Sequence, residues 1–288
     1  MRTLLQPGPV HPRRIESFGA SAESLTFPLR PGRSLLEAAT KPLVDAGWRG
    51  GTLSFAGAAF EPFRYVMPGP PDDASHVAYF SAQRAPAGIT RIEQANATFG
   101  WHDGKPFLHC HAVWTEADGA RRGGHILPAE AIVVESGVLH AWGFPAIAME
   151  TLDDPETNFR LMQPSGVSQP QASAVVARVR PNEDIVTAVE TIARIHQMPD
   201  ATIRGSLGSL IGAQFANGTS VPDDATEVLI SAGRVTSGVA EIDLLAVDGR
   251  GHVHQGRLER GTNPVCITFD LVLTRDDTVG HLPLSLRA

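Results

Sequence analysis

The chain has 288 residues, 42% of them hydrophobic and 19% charged, with a formal net charge of −7. That length suggests one large or two ordinary globular domains, and the acidic balance weighs against a surface built to coat phosphate backbones, although a local basic patch could survive it. Two distant cysteines, Cys110 and Cys266, imply no disulfide framework and suit a reducing compartment. Prolines interrupt the opening MRTLLQPGPVHPRR where a signal peptide needs an apolar core, and no apolar run reaches 18 residues. A cytoplasmic chain without a membrane span is expected.

Internal similarity organises the rest. LTFPLRPGRSLLEAATKPLVDAGWRGGTLSFAGAAF, from Leu25, matches VVARVRPNEDIVTAVETIARIHQMPDATIRGSLGSL, from Val175, with Arg30-Pro31 and Arg180-Pro181 at an offset of 150. In each copy an alternating strand runs into the proline, a helix follows, and a Gly-rich strand begins near Thr52 or Thr202. Ser34 with Glu37 fits a capping box, and Pro42 predicts a short or kinked first helix. In the second helix Asn182, Glu183 and Asp184 supply a cap and acid, while Ile185, Val189, Ile192 and Ile195 form the expected buried stripe.

Further on the offset drops to 132, and the 18 residues of difference fall where the first copy carries the loop MPGPPDDASH. IEQANATFG and TEVLISAGR each open an alternating strand, followed by a turn and a closing β-branched strand. Each unit therefore reads as one helix among several short strands, an α+β domain with mostly antiparallel sheet. The expected units cover 15–163 and 172–288, joined through the aperiodic MQPSGVSQPQASA.

The chemistry is concentrated in FLHCHAVWTEADGARRGGHILP, residues 107–128. Alternation puts His109 and His111 on one strand face and Cys110 on the other. A three-residue loop, Ala117-Asp118-Gly119, with Gly119 in the left-handed region, pairs 116 with 120 and sets His125 opposite His111. A two-residue turn would put it on the wrong face. Three imidazoles on one patch suit a divalent metal, Zn²⁺ by ligand type, with a fourth position left for water or substrate. The alternative is three unrelated surface histidines. Gly123 and Gly124 would let a neighbouring backbone or a ligand approach His125. Glu93, matched by Glu227 in the second copy, is a candidate general base or partner of the histidines, or else a surface residue on its strand.

In the second copy the three positions become Glu241, Asp243 and Arg257, a degenerate site that keeps charge without ligands, or an ordinary cross-strand ion pair. His252 and His254 make a second HxH with no register-matched partner; His140 and His196 read as structural.

An HxH strand, a DG turn and GGHIL, with the Arg-Pro entry to the helix and the strand GSLGSLIGAQF, resemble the PPC domain (plants-and-prokaryotes conserved), twice over nearly the whole chain. The first copy keeps the histidines, and the second keeps the more typical front end. The resemblance implies two tandem domains, each a mostly antiparallel sheet of about seven strands with one main helix, and self-association in a trimer-like arrangement. Plant members follow an AT-hook and bind DNA; no such hook occurs here, which together with the charge sets direct nucleic-acid binding aside. The expectation is a His₃ zinc site performing metal-assisted hydrolysis or lyase chemistry on a small anionic molecule. The alternative is a non-enzymatic assembly or regulatory module.

Overall fold

Two helices of equal length mark the two repeats in the computed structural model, which describes residues 1–275 and 280–281. Helix α1 spans Leu35–Asp45 and helix α2 spans Ile185–Ile195. Ser34 caps α1 by accepting from the Glu37 amide, but Glu37 turns to Arg33 instead of closing the box. Pro42 lies inside α1 without ending it. The cap of α2 is Asp184, whose carboxylate accepts from the Thr187 amide at 2.8 Å. Asn182 takes a left-handed conformation and grips the backbone of Leu4 instead. Ile185, Val189 and Ile192 are buried, whereas Ile195, expected in the same stripe, is exposed at the last turn of the helix.

Each repeat forms a largely antiparallel sheet, so the fold is α+β. Six strands recur in the same spatial order. In the first sheet they are Glu23–Pro28, Val138–Phe144, Gly50–Ala56, Thr90–His102, Lys105–Thr115 and Arg121–Ile126. In the second they are Ala174–Val179, Val265–Arg275, Ala201–Ile203 with Leu207–Leu210, Thr226–Thr236, Val239–Val247 and Val253–Arg257. The expected units differ at their edges. Ile15–Ala20 pairs antiparallel with Ala174–Val179 and so belongs to the second sheet, while Gly280–His281 pairs parallel with Glu23–Pro28 of the first. The rest of the second unit's expected end, 276–279 and 282–288, lies outside the described residues.

Each sheet buries one face under its own helix. Leu35, Ala39 and Leu43 of α1 join Leu53, Phe99, Cys110 and Trp114 in one core. Ile185, Val189 and Ile192 of α2 join Val175, Val228, Ile230 and Phe269 in the other. The opposite faces meet each other, giving four layers: helix, sheet, sheet, helix. Val113 packs there on Leu207, Leu229 and Leu245. This seam is also polar. Asn96 donates to the carbonyls of Ser206 and Ile230, Thr52 to that of Gly205, and Thr98 to Asp270. Each bond runs from one repeat to the other, so buried polar groups of one sheet are satisfied by its partner.

Candidate metal centre

The hairpin has the expected register. Glu116 N–H donates to Ala120 O and Gly119 N–H to Glu116 O, with Gly119 at φ 85°. His125 consequently stands opposite His111. Gly123 and Gly124 have neighbours where a side chain would sit: an added Cβ would lie 2.5 Å from Val247 at the first and 2.6 Å from the Val66 carbonyl at the second. The hairpin thus packs between the strand Tyr65–Val66 and the second repeat.

His109, His111 and His125 each offer a ring nitrogen, all within 4.8 Å of one another. They do not face solvent; the seam encloses them. His111 Nδ1 lies 3.0 Å from the Val228 carbonyl, which can only accept, so that nitrogen carries the proton and Nε2 keeps its lone pair. His109 Nδ1 lies 3.0 Å from Asp270 Oδ2. With that carboxylate ionised, Nδ1 is again the donor and Nε2 the lone pair. The two Nε2 atoms are 3.2 Å apart. Two lone pairs at that distance repel unless a proton or a cation lies between them.

Glu227 faces the cluster from the second repeat. Its carboxylate oxygens lie 3.9 Å from His111 Nε2 and 4.0 Å from His125 Nδ1. Both Glu227 Oε2 and His125 Nδ1 are buried without a hydrogen-bond partner, an orphaned acceptor beside an orphaned ring nitrogen. Burial pushes the Glu227 carboxyl well above its usual range. Burial, helped by the neighbouring His109, lowers His125 to about 3. It also lowers His111 well below the ordinary imidazole value, reinforced by His109 and His125. Neutral imidazole is the metal-binding form, and the donor set suits zinc, for which Zn–N bonds are about 2.0–2.1 Å. The residues fit the ion.

Glu93 is not part of this cluster. It accepts from Thr115 and Arg121 on the sheet surface, beside a bulge between Ile92 and Gln94. The acid that faces the imidazoles is Glu227, which pairs with Val247 as Arg91 pairs with Thr115, so it holds the place of Arg91 in the ladder. Asp243 does stand opposite Arg257, and Arg257 donates to both Glu241 and Asp243, a self-contained and largely exposed ion-pair set. His252 and His254 are both drawn to Asp248. His140 meets Thr26, and His196 meets Ser17. Among the described residues the three histidines form the one cluster of metal-ligating side chains.

A pocket opens beside the histidines, with Tyr79, Phe80, Phe159 and Ile267 among its walls. Sequence reasoning passed over these residues, as it did Asp270 and Val228. Asp270 did carry a signal, as a lone acid in the apolar run VCITFDLVLT.

No family model matches the chain, and no curated protein matches it. Solved structures do. A plant- and prokaryote-conserved (PPC) protein from Pyrococcus horikoshii is 14% identical, covering 49% of this chain and 91% of its own, with a TM-score of 0.39. A metal-containing protein from Archaeoglobus fulgidus is 19% identical over 50% of this chain and 96% of its own, TM-score 0.41. A Bacteroides thetaiotaomicron protein whose DNA binding is conjectural is 12% identical over 52% and 98%, TM-score 0.39. Each covers about half of this chain.

Proposed function

We propose that His109, His111 and His125 hold a divalent metal, zinc by ligand type, and that the site performs metal-assisted hydrolysis or a lyase reaction on a small molecule. The 3.2 Å contact between His109 Nε2 and His111 Nε2 carries this reading, because Asp270 and the Val228 carbonyl already fix the other nitrogen of each ring. Such partners orient ligating imidazoles and raise their basicity. When bound, the ion supplies Lewis acidity and a water whose pKa falls to about 7. Glu227, kept protonatable by burial, is placed to hold or take a proton beside the ligands. Tyr79, Phe80 and Phe159 limit the entry of bulk water.

Metal analysis of untagged protein tests the centre. One equivalent of zinc is expected, lost in His109→Ala and in His125→Ala; wild-type protein that is metal-free at unchanged stability would defeat the reading.

An assembly role is the second reading, favoured because Glu227, Val228 and Asp270 all come from the repeat opposite the histidines. Glu227→Gln separates the two. A variant that keeps zinc but loses turnover assigns the residue to chemistry. One that loses zinc and melts earlier assigns it to a closed structural site with four ligands.

A further inference from the structure

The extra length of the first repeat is folded over the histidines. The segment leaves the strand Tyr65–Val66, where Val66 pairs with His125, and closes as a short ladder of Pro68–Gly69 on Tyr79–Phe80. Met67 and Ser81 clasp its base: the Met67 amide donates to Ser81 Oγ and the Ser81 amide to Met67 O. Asn158 Nδ2 donates to Ser75 O, tying the segment to the turn 154–159 that carries Phe159. Phe80 stands edge-on to His125 with ring centroids 5.2 Å apart, and Tyr79 stacks on Phe159 at 5.6 Å. Tyr79 and Phe80 nevertheless stay 44% and 41% exposed.

The pocket behind these rings has a volume of about 80 Å³, and among the described residues neither Arg nor Lys lines it. Away from the histidines, desolvating an anion among apolar walls without a basic partner is costly, whereas a neutral ring loses little and gains edge and face contacts. Two hydroxyls stand ready to orient a polar group. Ser209 Oγ accepts from the Ile267 amide and Thr268 Oγ1 from Arg178, which leaves each hydroxyl proton available to a ligand. These walls favour a different ligand from the small anion expected from the sequence.

We infer that the pocket selects an uncharged small molecule bearing a flat ring, gripped by Tyr79, Phe80 and Phe159 while an oxygen on it reaches the metal. Only the last contact rests on the metal reading. The extra length of the first repeat between Phe60 and Thr90 thus supplies two of the three rings that set specificity at the site that keeps its histidines.

Calorimetry on the zinc-loaded full chain compares benzohydroxamic acid with acetohydroxamic acid, which share the chelating group, and with inorganic phosphate. Ligand-observed NMR follows benzamide, a ring without a strong chelator, with and without zinc. The ring-bearing hydroxamate is expected to bind about tenfold more tightly than the other. Phe80→Ala and Phe159→Ala should abolish that preference at unchanged zinc content and melting temperature. Phe80→Leu, which keeps bulk without a ring, serves if the alanine variant fails to fold. Equal affinity for the two hydroxamic acids, phosphate as the tighter ligand, or no benzamide signal in either form would overturn the inference. A chain that takes no zinc but binds benzamide through Phe80 defeats the metal reading and upholds this one. A zinc-loaded chain indifferent to the ring does the reverse.

Discussion

Asp270 and Val228 do the same job for two different histidines, each holding one ring nitrogen so that the other faces the cluster. Asp270 is itself held by Thr98, and its second oxygen is buried without a partner. Removing such a partner from a ligating histidine typically weakens metal affinity by about 10–100-fold. Asp270→Ala should therefore lower zinc affinity by that order in a competition titration with a chelator, while the fold persists. Unchanged affinity would mean that His109 needs no orienting group. Metal binding should also be linked to proton release from the Glu227 carboxyl, which burial holds above its usual range; calorimetry in buffers of different ionisation enthalpy would count it. The histidines and their spacing were legible in the sequence. Which acid served them was not, since Glu93 falls in a bulge that turns it to the sheet surface while Glu227 is paired with Val247 and faces the seam, a difference of register that similar sequences do not reveal.

The hairpin was readable for a narrow physical reason. Only a loop that ends in a left-handed residue gives the needed register, and Gly119 stands at that place with φ 85°. The second hairpin follows the same rule, with Gly251 at φ 82° and Asp243 opposite Arg257. Deleting Ala117 should shorten the loop to two residues and slip the strand by one, which turns His125 onto the opposite face. Loss of zinc with a retained far-ultraviolet spectrum is the expected result; retained zinc would show that the register is set elsewhere. Helix α2 was read less well, because Asn182 and Asp184 are both good caps and the contact with Leu4 decides between them. Thr52, Asn96 and Thr98 are polar, yet all three are buried. Local alternation says which residues share a face and is silent about a second sheet covering it.

At the scale of the molecule, the repeats are joined by a buried ionic cluster as well as by the seam. Asp154, in the turn that carries Phe159, accepts from Arg178 and Arg180, and all three are essentially inaccessible. Breaking a buried pair by removing one partner costs about 3–5 kcal/mol. Asp154→Ala should lose that much in chemical denaturation, and a loss below about 1 kcal/mol would contradict the assignment. Burial would raise the Asp154 carboxyl, but the two guanidinium groups prevail and hold it at about 2. An unfolded Asp titrates near 3.9, so the folded state gains from this group above about pH 4 and loses the gain as the pH falls toward 2. Asp154→Asn should flatten the melting temperature across that window. Among the described residues no helix is long and apolar enough to cross a membrane. The exchanged edges have a consequence for biosynthesis. Ile15–Ala20 leaves the ribosome long before Ala174–Val179, the strand it must pair with, has been translated. The leader stays undocked while the first sheet assembles, and a transcript cut short between the repeats yields a product with a permanently orphaned β-segment, a ready target for quality-control proteases.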